Sequence, residues 1–429
     1  MSERYHQSEV LLERALKTIP LGSQTFSKSK TQYPLGISPY FIAKGQGCRV
    51  WDVDGNEYID FVSSLASITL GYNDPDVTAA VRAQLDDGVI FSLPHRLEME
   101  VAERLVAMVP CAEMVRFGKN GSDATSGAIR LARAFTGRER VAVCGYHGWQ
   151  DWYIGSTARH RGVPQCVRDL THGFAYNDLA ALKAVLEAHP GEFAAVIIEP
   201  MNVATPAPDY LACVLELTHR HGALLVFDET ITGFRFANGG AQEYFGVTPD
   251  LATFGKGLAN GYPVSAVAGR ADVMKLMEEI FFSFTFGGET LSLAAAAATM
   301  DKLVREPVTA TLAKRGEQLR KGVTELIARH ALGDWLSFAG HPSWTFLVIK
   351  DAPGCSMWEA KTLLMQELLA RGILWIGTHN LNYAHGEADI ARLLAAYDEA
   401  FPILRRAIET GRPGDFLHCE PLQPLFKIR

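Results

Sequence analysis

Pro249-Asp-Leu-Ala-Thr-Phe-Gly-Lys-Gly-Leu-Ala-Asn-Gly-Tyr-Pro263 is an apolar run that breaks off in a Gly-Lys-Gly turn. Leu251 to Phe254 reads as a strand, and Lys256 stands just past its end. A second apolar run, Ala223-Leu-Leu-Val-Phe227, ends in Asp228-Glu229. Glycine on both sides leaves Lys256 open to close approach by a flat ligand, because no neighbouring Cβ intervenes. An acid at one strand end and a lysine at another face a common pocket when their strands share a parallel sheet.

Further runs of the same kind are Met114-Val-Arg-Phe117, Arg140-Val-Ala-Val143, Ala194-Ala-Val-Ile-Ile198 and Ser265-Ala-Val-Ala268. Helical patterns separate them. Buried strands alternating with helices predict an α/β fold with a mainly parallel sheet, covered by helices on both faces. Changes of pattern divide the chain into an N-terminal segment (1–60), a large domain (61–310) and a small α+β domain (311–429). The N-terminal segment predicts a helix within Met1 to Lys17 and a Gly/Ser/Pro-rich loop. It also predicts a hairpin folded at Asp54-Gly55-Asn56. A strand at 343–350 and helices near 313–330, 357–371 and 387–411 are expected in the C-terminal part.

Three loops complete the candidate site. Phe117-Gly-Lys-Asn-Gly-Ser-Asp-Ala-Thr125 leads from a strand into a helix, so Asn120, Gly121 and Ser122 can donate to a phosphate at the helix start. A plain Ser/Asp helix cap explains the same residues. Gly145-Tyr-His-Gly-Trp149 follows another strand. Tyr146 is suited to stack on a planar group, and His147 can touch that ring or simply pack. Together with Lys256 and Asp228 these features match what pyridoxal phosphate (PLP) requires: an amine for a Schiff base and a carboxylate for the pyridinium nitrogen. Lys256, Asp228 and Tyr146 are the candidate catalytic residues.

Several segments together resemble the class III (subgroup II) PLP-dependent aminotransferases of fold type I. Within that family the chain is similar to the glutamate-1-semialdehyde aminomutases. The segments include Val50-Trp-Asp-Val-Asp-Gly-Asn-Glu-Tyr-Ile-Asp-Phe61, Tyr146-His-Gly148, Ile198-Glu-Pro200, Phe227-Asp-Glu-Thr-Ile-Thr-Gly-Phe-Arg235 and Phe254-Gly-Lys256. The resemblance covers nearly the whole chain. It implies a phosphate loop at Asn120, Gly121 and Ser122, a stacking Tyr146, a Glu199 near the pocket, Asp228 on the pyridinium and Lys256 as the Schiff-base lysine. Ser283-Phe-Thr-Phe-Gly-Gly-Glu-Thr290 resembles a segment whose threonine, here Thr285, reaches the phosphate of a neighbouring subunit. A homodimer with shared active sites is implied, as is a cytoplasmic enzyme.

Departures from the family pattern bear on the substrate. Where the aminomutases carry a carboxylate-binding arginine, Lys28 stands at or near the place, in Gly22-Ser-Gln-Thr-Phe-Ser-Lys28. Lysine is a point charge without the bidentate fork of arginine. Gln24 and Thr25 give the loop an amide and hydroxyl character that suits a polar acceptor, or plain solvation. The reading is therefore a transaminase that takes an amine from a donor, passes through pyridoxamine phosphate and aminates a carbonyl acceptor in a ping-pong cycle. An aminomutase, moving the amine within one molecule, uses the same residues.

Composition narrows the alternatives. The 429 residues are 48% hydrophobic and 21% charged, with a formal charge of −7 spread along the chain. No basic block points to nucleic acid, and no apolar run is long enough for a transmembrane helix. The seven cysteines are scattered and form no CxxC, which favours reduced thiols and argues against a zinc site.

Overall fold

Seven short runs build one sheet: β1 (Met114–Gly118), β2 (Arg140–Cys144), β3 (Thr171–Gly173), β4 (Phe193–Ile198), β5 (Leu224–Asp228), β6 (Leu251–Phe254) and β7 (Ser265–Gly269). The order across it is β1-β7-β6-β5-β4-β2-β3. From β6 to β3 every pairing is parallel. Only β7 is reversed, pairing antiparallel with β6 and with β1. The connection between β6 and β7 is too short to hold the crossover that a parallel return demands. The mainly parallel α/β sheet expected from the sequence is present, with this one reversal added.

Alternation along the strands explains the two layers of helices. Val141, Val143, Ala195, Ile197 and Val226 pack with Ala124, Ala128 and Leu131 of the helix Gly121–Thr136. Their strand neighbours Ala142, Val196, Ile198, Leu225 and Phe227 pack on the other side. There they meet Leu182 and Leu186 of the helix Leu179–Ala188, and Val214 and Leu217 of the helix Tyr210–Arg220. A strand buried on both faces needs apolar residues at consecutive positions, which is what these runs carry. Each fully buried valine, leucine or phenylalanine contributes about 1.5–3 kcal/mol relative to its exposure.

This computed structural model describes residues 3–424. Residues 1–2 of the expected N-terminal helix and residues 425–429 of the expected C-terminal domain lie outside the described part. The chain divides into two compact units. One runs from Pro75 to Ala310 and contains the large sheet. The other joins the segment up to Asp74 with the chain from Thr311 onward.

In that second unit the expected hairpin forms between Arg49–Asp52 and Glu57–Asp60. Gly55 takes φ 87°, and Asp52 Oδ1 accepts from the amides of Asp54 (3.0 Å) and Asn56 (2.8 Å). Ile42–Gln46 and the two-residue strand Ile373–Leu374 extend this hairpin to four strands. Leu336–His341, Trp344–Ile349 and Thr378–Asn380 form a second, antiparallel sheet. The N-terminal helix spans His6–Ala15.

Just after the hairpin, Ser63, Ser64, Leu65 and Ala66 all have positive φ (43°, 48°, 61° and 66°), a left-handed turn of four non-glycine residues. Asp60 Oδ1 accepts from the amides of Val62 (2.7 Å) and Ser63 (3.0 Å). Ser63 Oγ donates to the Asn380 carbonyl (2.6 Å) and accepts from Asn382 Nδ2 (3.0 Å). No helix among the described residues is long and apolar enough to cross a membrane.

Candidate active site

The C-terminal ends of β1, β2, β4, β5 and β6 carry the candidate residues of the Pro75–Ala310 unit. In a parallel sheet these ends form the binding edge.

β5 delivers Asp228, which is buried. His147 Nδ1 lies 2.9 Å from its Oδ2, while His147 Nε2 lies 3.2 Å from the Cys144 carbonyl. Both ring nitrogens thus face oxygen acceptors. Thr230 donates its amide (3.1 Å) and hydroxyl (2.5 Å) to Asp228 Oδ1, and the Thr253 hydroxyl adds a third donor at 3.2 Å. Burial works to raise the Asp228 carboxyl. The hydrogen bond and charge of His147, with the two donors of Thr230, outweigh it and hold the group below the ordinary carboxylate range. The arrangement keeps an anion at the end of β5.

β6 delivers Lys256 between Gly255 and Gly257, with φ 41°. Burial depresses its amine from the ordinary 10.5 to about 8. Glu199 and Asp228 pull the other way, and Arg235 adds to the depression. A lysine titrating there holds a large neutral fraction near pH 8.

Glu199, at the end of β4, is the third titratable group. Its Oε2 accepts from the Tyr146 amide (2.9 Å) and from Asn202 Nδ2 (3.1 Å). Burial, aided by the Asp228 charge, raises its carboxyl despite His147, the Tyr146 amide and Asn202. At Gly145 (φ 112°) an added Cβ would come within 2.4 Å of Glu199 Oε2, so the backbone passes where no side chain fits.

The loop Asn120–Ser122 meets the other groups by contact. A Cβ at Gly121 would lie 3.1 Å from Thr230 Cγ2, and one at Gly255 would lie 3.5 Å from that carbon and 3.8 Å from Gly121 Cα. The start of the helix Gly121–Thr136 therefore lies against the turn after Asp228 and the residue before Lys256. As its first two residues, Gly121 and Ser122 have amides without an intrahelical acceptor. Asp123 turns back as the cap, accepting from the amides of Lys119 (3.1 Å) and Asn120 (2.7 Å). Ser122 Oγ accepts from the Trp149 amide (3.3 Å), and Thr125 donates to the His147 carbonyl (2.8 Å). The loop carrying Tyr146 and His147 is pinned in this way to the start of the helix Gly121–Thr136.

A family model for class-III aminotransferases matches residues 32–334. The chain belongs to the class-III aminotransferases. It is 34% identical to a 3-aminobutyryl-CoA aminotransferase of Cloacimonas acidaminovorans, over 94% of this chain and 98% of the relative. It is 35% identical to a glutamate-1-semialdehyde 2,1-aminomutase of Syntrophobacter fumaroxidans, over 92% and 97%. Among solved structures, the FumI protein of Sphingopyxis sp. MTA144, in its PLP internal aldimine form, superposes with a TM-score of 0.88. That likeness has 31% identity and covers 97% of this chain and 99% of that one.

PLP is the cofactor of this aminotransferase family. The donor set here fits it. A helix start with amides open to an anion, a buried ionised carboxylate and an amine lowered by burial lie within one unit, and each matches one functional group of PLP.

Of the sequence-predicted residues, the structure brings together Asn120, Gly121, Ser122, Tyr146, His147, Glu199, Asp228 and Lys256. Tyr146 is half-exposed and meets Tyr153 edge-on, 5.6 Å between ring centroids. Thr285 lies exposed on the loop before the helix Thr290–Arg305. Gln24, Thr25 and Lys28 belong to the other unit, where Lys28 Nζ lies 3.1 Å from Ser64 Oγ. The sequence reading missed Thr230, Thr253 and Asn202. Thr230 and Asn202 follow their carboxylates by two and three residues, a local signal that was readable.

Proposed function

We propose that this chain is a transaminase whose chemistry runs through Lys256 and Asp228. One observation carries the assignment: a buried amine lowered to about 8 feels the charge of Asp228, a buried carboxyl held below its usual range at the end of the neighbouring strand. PLP, when bound, supplies an aldehyde that condenses with amines and a ring that accepts the electron pair released at the substrate carbon.

This chain's residues do the rest. Lys256 Nζ is the covalent anchor and then carries the proton to and from the substrate carbon. Asp228 holds the proton on the pyridine nitrogen, and His147 acts through Asp228 by fixing its charge. Asn120, Gly121 and Ser122 take the phosphate, Tyr146 covers the ring, and Glu199 holds the Tyr146 backbone in place. Gln24, Thr25 and Lys28 are proposed to touch substrate.

A homodimer is part of the reading. Ile90, Phe91, Leu93, Phe281, Phe284 and Phe286 are exposed large apolar residues. Their two loops meet where Thr290 bonds the Val89 carbonyl (2.9 Å from the amide). Exposed large apolar side chains on two adjoining loops favour a partner surface, and Thr285 is exposed on the second of these loops. Seven unpaired cysteines support a reducing, cytoplasmic setting.

Borohydride reduction of the holoprotein, followed by peptide mapping, tests the anchor. The label is expected on the Lys256 peptide, and a label on any other peptide refutes the assignment. Incubation with a single amino donor separates the two activities. A transaminase converts the donor stoichiometrically to its carbonyl product and retains the amine on the cofactor. An aminomutase given its own substrate returns an isomer with no net loss of amine.

A further inference from the structure

Lys119 stands between the end of β1 and the loop Asn120–Ser122. Asp123 holds its amide, but its side chain reaches out of the loop. Lys119 Nζ donates to Glu289 Oε2 (3.0 Å) and lies 3.5 Å from Ser292 Oγ. The two charged side chains are only 17% and 14% exposed, so this is no solvated surface contact. Removing either partner leaves the other charge poorly hydrated.

Glu289 caps the helix Thr290–Arg305. Its Oε1 accepts from the Leu291 amide (2.8 Å), and its Oε2 accepts from the Ser292 amide (3.2 Å) and hydroxyl (2.5 Å). Burial works to raise this carboxyl. The Ser292 hydroxyl, Lys119 and the Leu291 amide outweigh it and hold the group below its ordinary range. The start of the helix is itself fixed. Thr290 donates its hydroxyl to the Gly88 carbonyl (2.8 Å) and its amide to the Val89 carbonyl (2.9 Å), and Leu293 to Ala296 are buried. The same helix packs on the turn Lys256–Ala259. Within the Pro75–Ala310 unit, one helix thus backs the Lys256 turn and, through its cap, holds the loop Asn120–Ser122.

We propose that the Lys119–Glu289 pair is a positioning device that sets the spacing between the phosphate grip at Asn120–Ser122 and the amine of Lys256. The proposal rests on the placing of the phosphate at that loop. PLP is held at both ends, and a loop free to shift no longer presents both at once. Lys119 and Glu289 act through the loop and the helix.

Two ligands separate positioning from bulk stability. PLP uses both ends of the site, whereas pyridoxal has the same aldehyde and no phosphate. The full chain, freed of cofactor, is titrated with each by absorbance, and urea midpoints show whether each variant is folded. Lys119→Met and Glu289→Gln are each expected to weaken PLP about tenfold, the size of one charged hydrogen bond. Pyridoxal should stay within about twofold, and the double variant should bind PLP no worse than either single one, because both remove the same link. Glutamine keeps a side-chain oxygen for the Leu291 amide.

The sign of the Glu289→Gln effect decides between positioning and plain charge. If Lys119 served the phosphate only by its charge, removing the nearby carboxylate would tighten PLP. Tighter or unchanged PLP in Glu289→Gln overturns the proposal, as do equal losses for PLP and pyridoxal. If Glu289→Gln does not fold, Lys119→Met, which leaves the helix cap in place, carries the test through the same two ligands. Ser122→Ala probes the reading beneath. If it leaves the preference for PLP over pyridoxal unchanged, the placing of the phosphate fails. If it lowers that preference while the Lys119 and Glu289 variants do not, the positioning pair alone fails.

Discussion

Gly148→Ala is expected to weaken cofactor binding from a position that touches no cofactor. Gly148 has φ 107°, and a Cβ there would stand 2.3 Å from Ser122 Oγ, 2.9 Å from Ser122 Cβ and 3.1 Å from Ser122 Cα. The backbone conformation alone costs an alanine about 1–2 kcal/mol. Overpacking against Ser122 adds about 1–3 kcal/mol, and its relief requires Ser122 or the His147 loop to move by roughly 1 Å. A hydrogen bond from Ser122 to a charged phosphate oxygen is worth about 1.5–3 kcal/mol, so its loss weakens PLP by about ten- to a hundredfold.

Gly137→Ala is the matched control. Gly137 ends the same helix with φ 66°, and a Cβ there would meet nothing within 4 Å. It carries the conformational cost of about 1 kcal/mol without the collision. Urea midpoints measure stability, and titration of the cofactor-free protein with PLP measures affinity. Both variants should lose stability, and only Gly148→Ala should lose affinity. Parent-like PLP binding in Gly148→Ala, with the two variants destabilised equally, would refute the close approach to Ser122 as a holding device.

Lys256→Ala should abolish turnover while leaving the far-ultraviolet circular dichroism unchanged. Measurable parent-like rates would contradict the assigned chemistry. Asp228→Asn should lower kcat more than Lys28→Ala does, because it removes the charge that holds the ring proton. Steady-state kinetics on one donor decide the order. The depressed Lys256 amine also makes the stability of the cofactor-free protein depend on pH. Between about pH 8 and 10.5 the unfolded chain keeps a proton that the folded state has released, so stability rises across that window and the penalty is complete below it. Lys256→Met should flatten this slope and raise the urea midpoint at pH 7. Parallel profiles for parent and variant would count against the shift.

Much of this arrangement is legible in the chain. Val141 to Cys144, Ala194 to Ile198 and Leu224 to Phe227 are buried on both sides and therefore apolar at every position, which exposes them as strands. Lys256 and Asp228 follow such runs directly. The three-residue strand β3 carries too few side chains to announce itself. The reversal of β7 is also hidden, because an apolar run has no direction written into it. The pairing of His147 with Asp228 joins residues 81 positions apart, and each residue alone is compatible with plain packing. The unforeseen strand Leu336–His341 has two buried ends and a partly open middle, so its apolar signal is diluted by serine and glycine.

The left-handed turn at Ser63–Ala66 constrains the order in which the chain can mature. Four L-residues wound in the unfavoured sense cost about 1–2 kcal/mol each, so the turn does not persist alone. Besides the local Asp60, its clamps come from Asn380 and Asn382, more than 300 residues later. On the ribosome, Pro75–Ala310 emerges whole before those asparagines exist. The first 74 residues must wait, with the edge of the Glu57–Asp60 strand uncovered until Ile373–Leu374 arrives beside it. During synthesis the vulnerable interval belongs to the opening segment of the polypeptide, and a nascent-chain binder would find its target there.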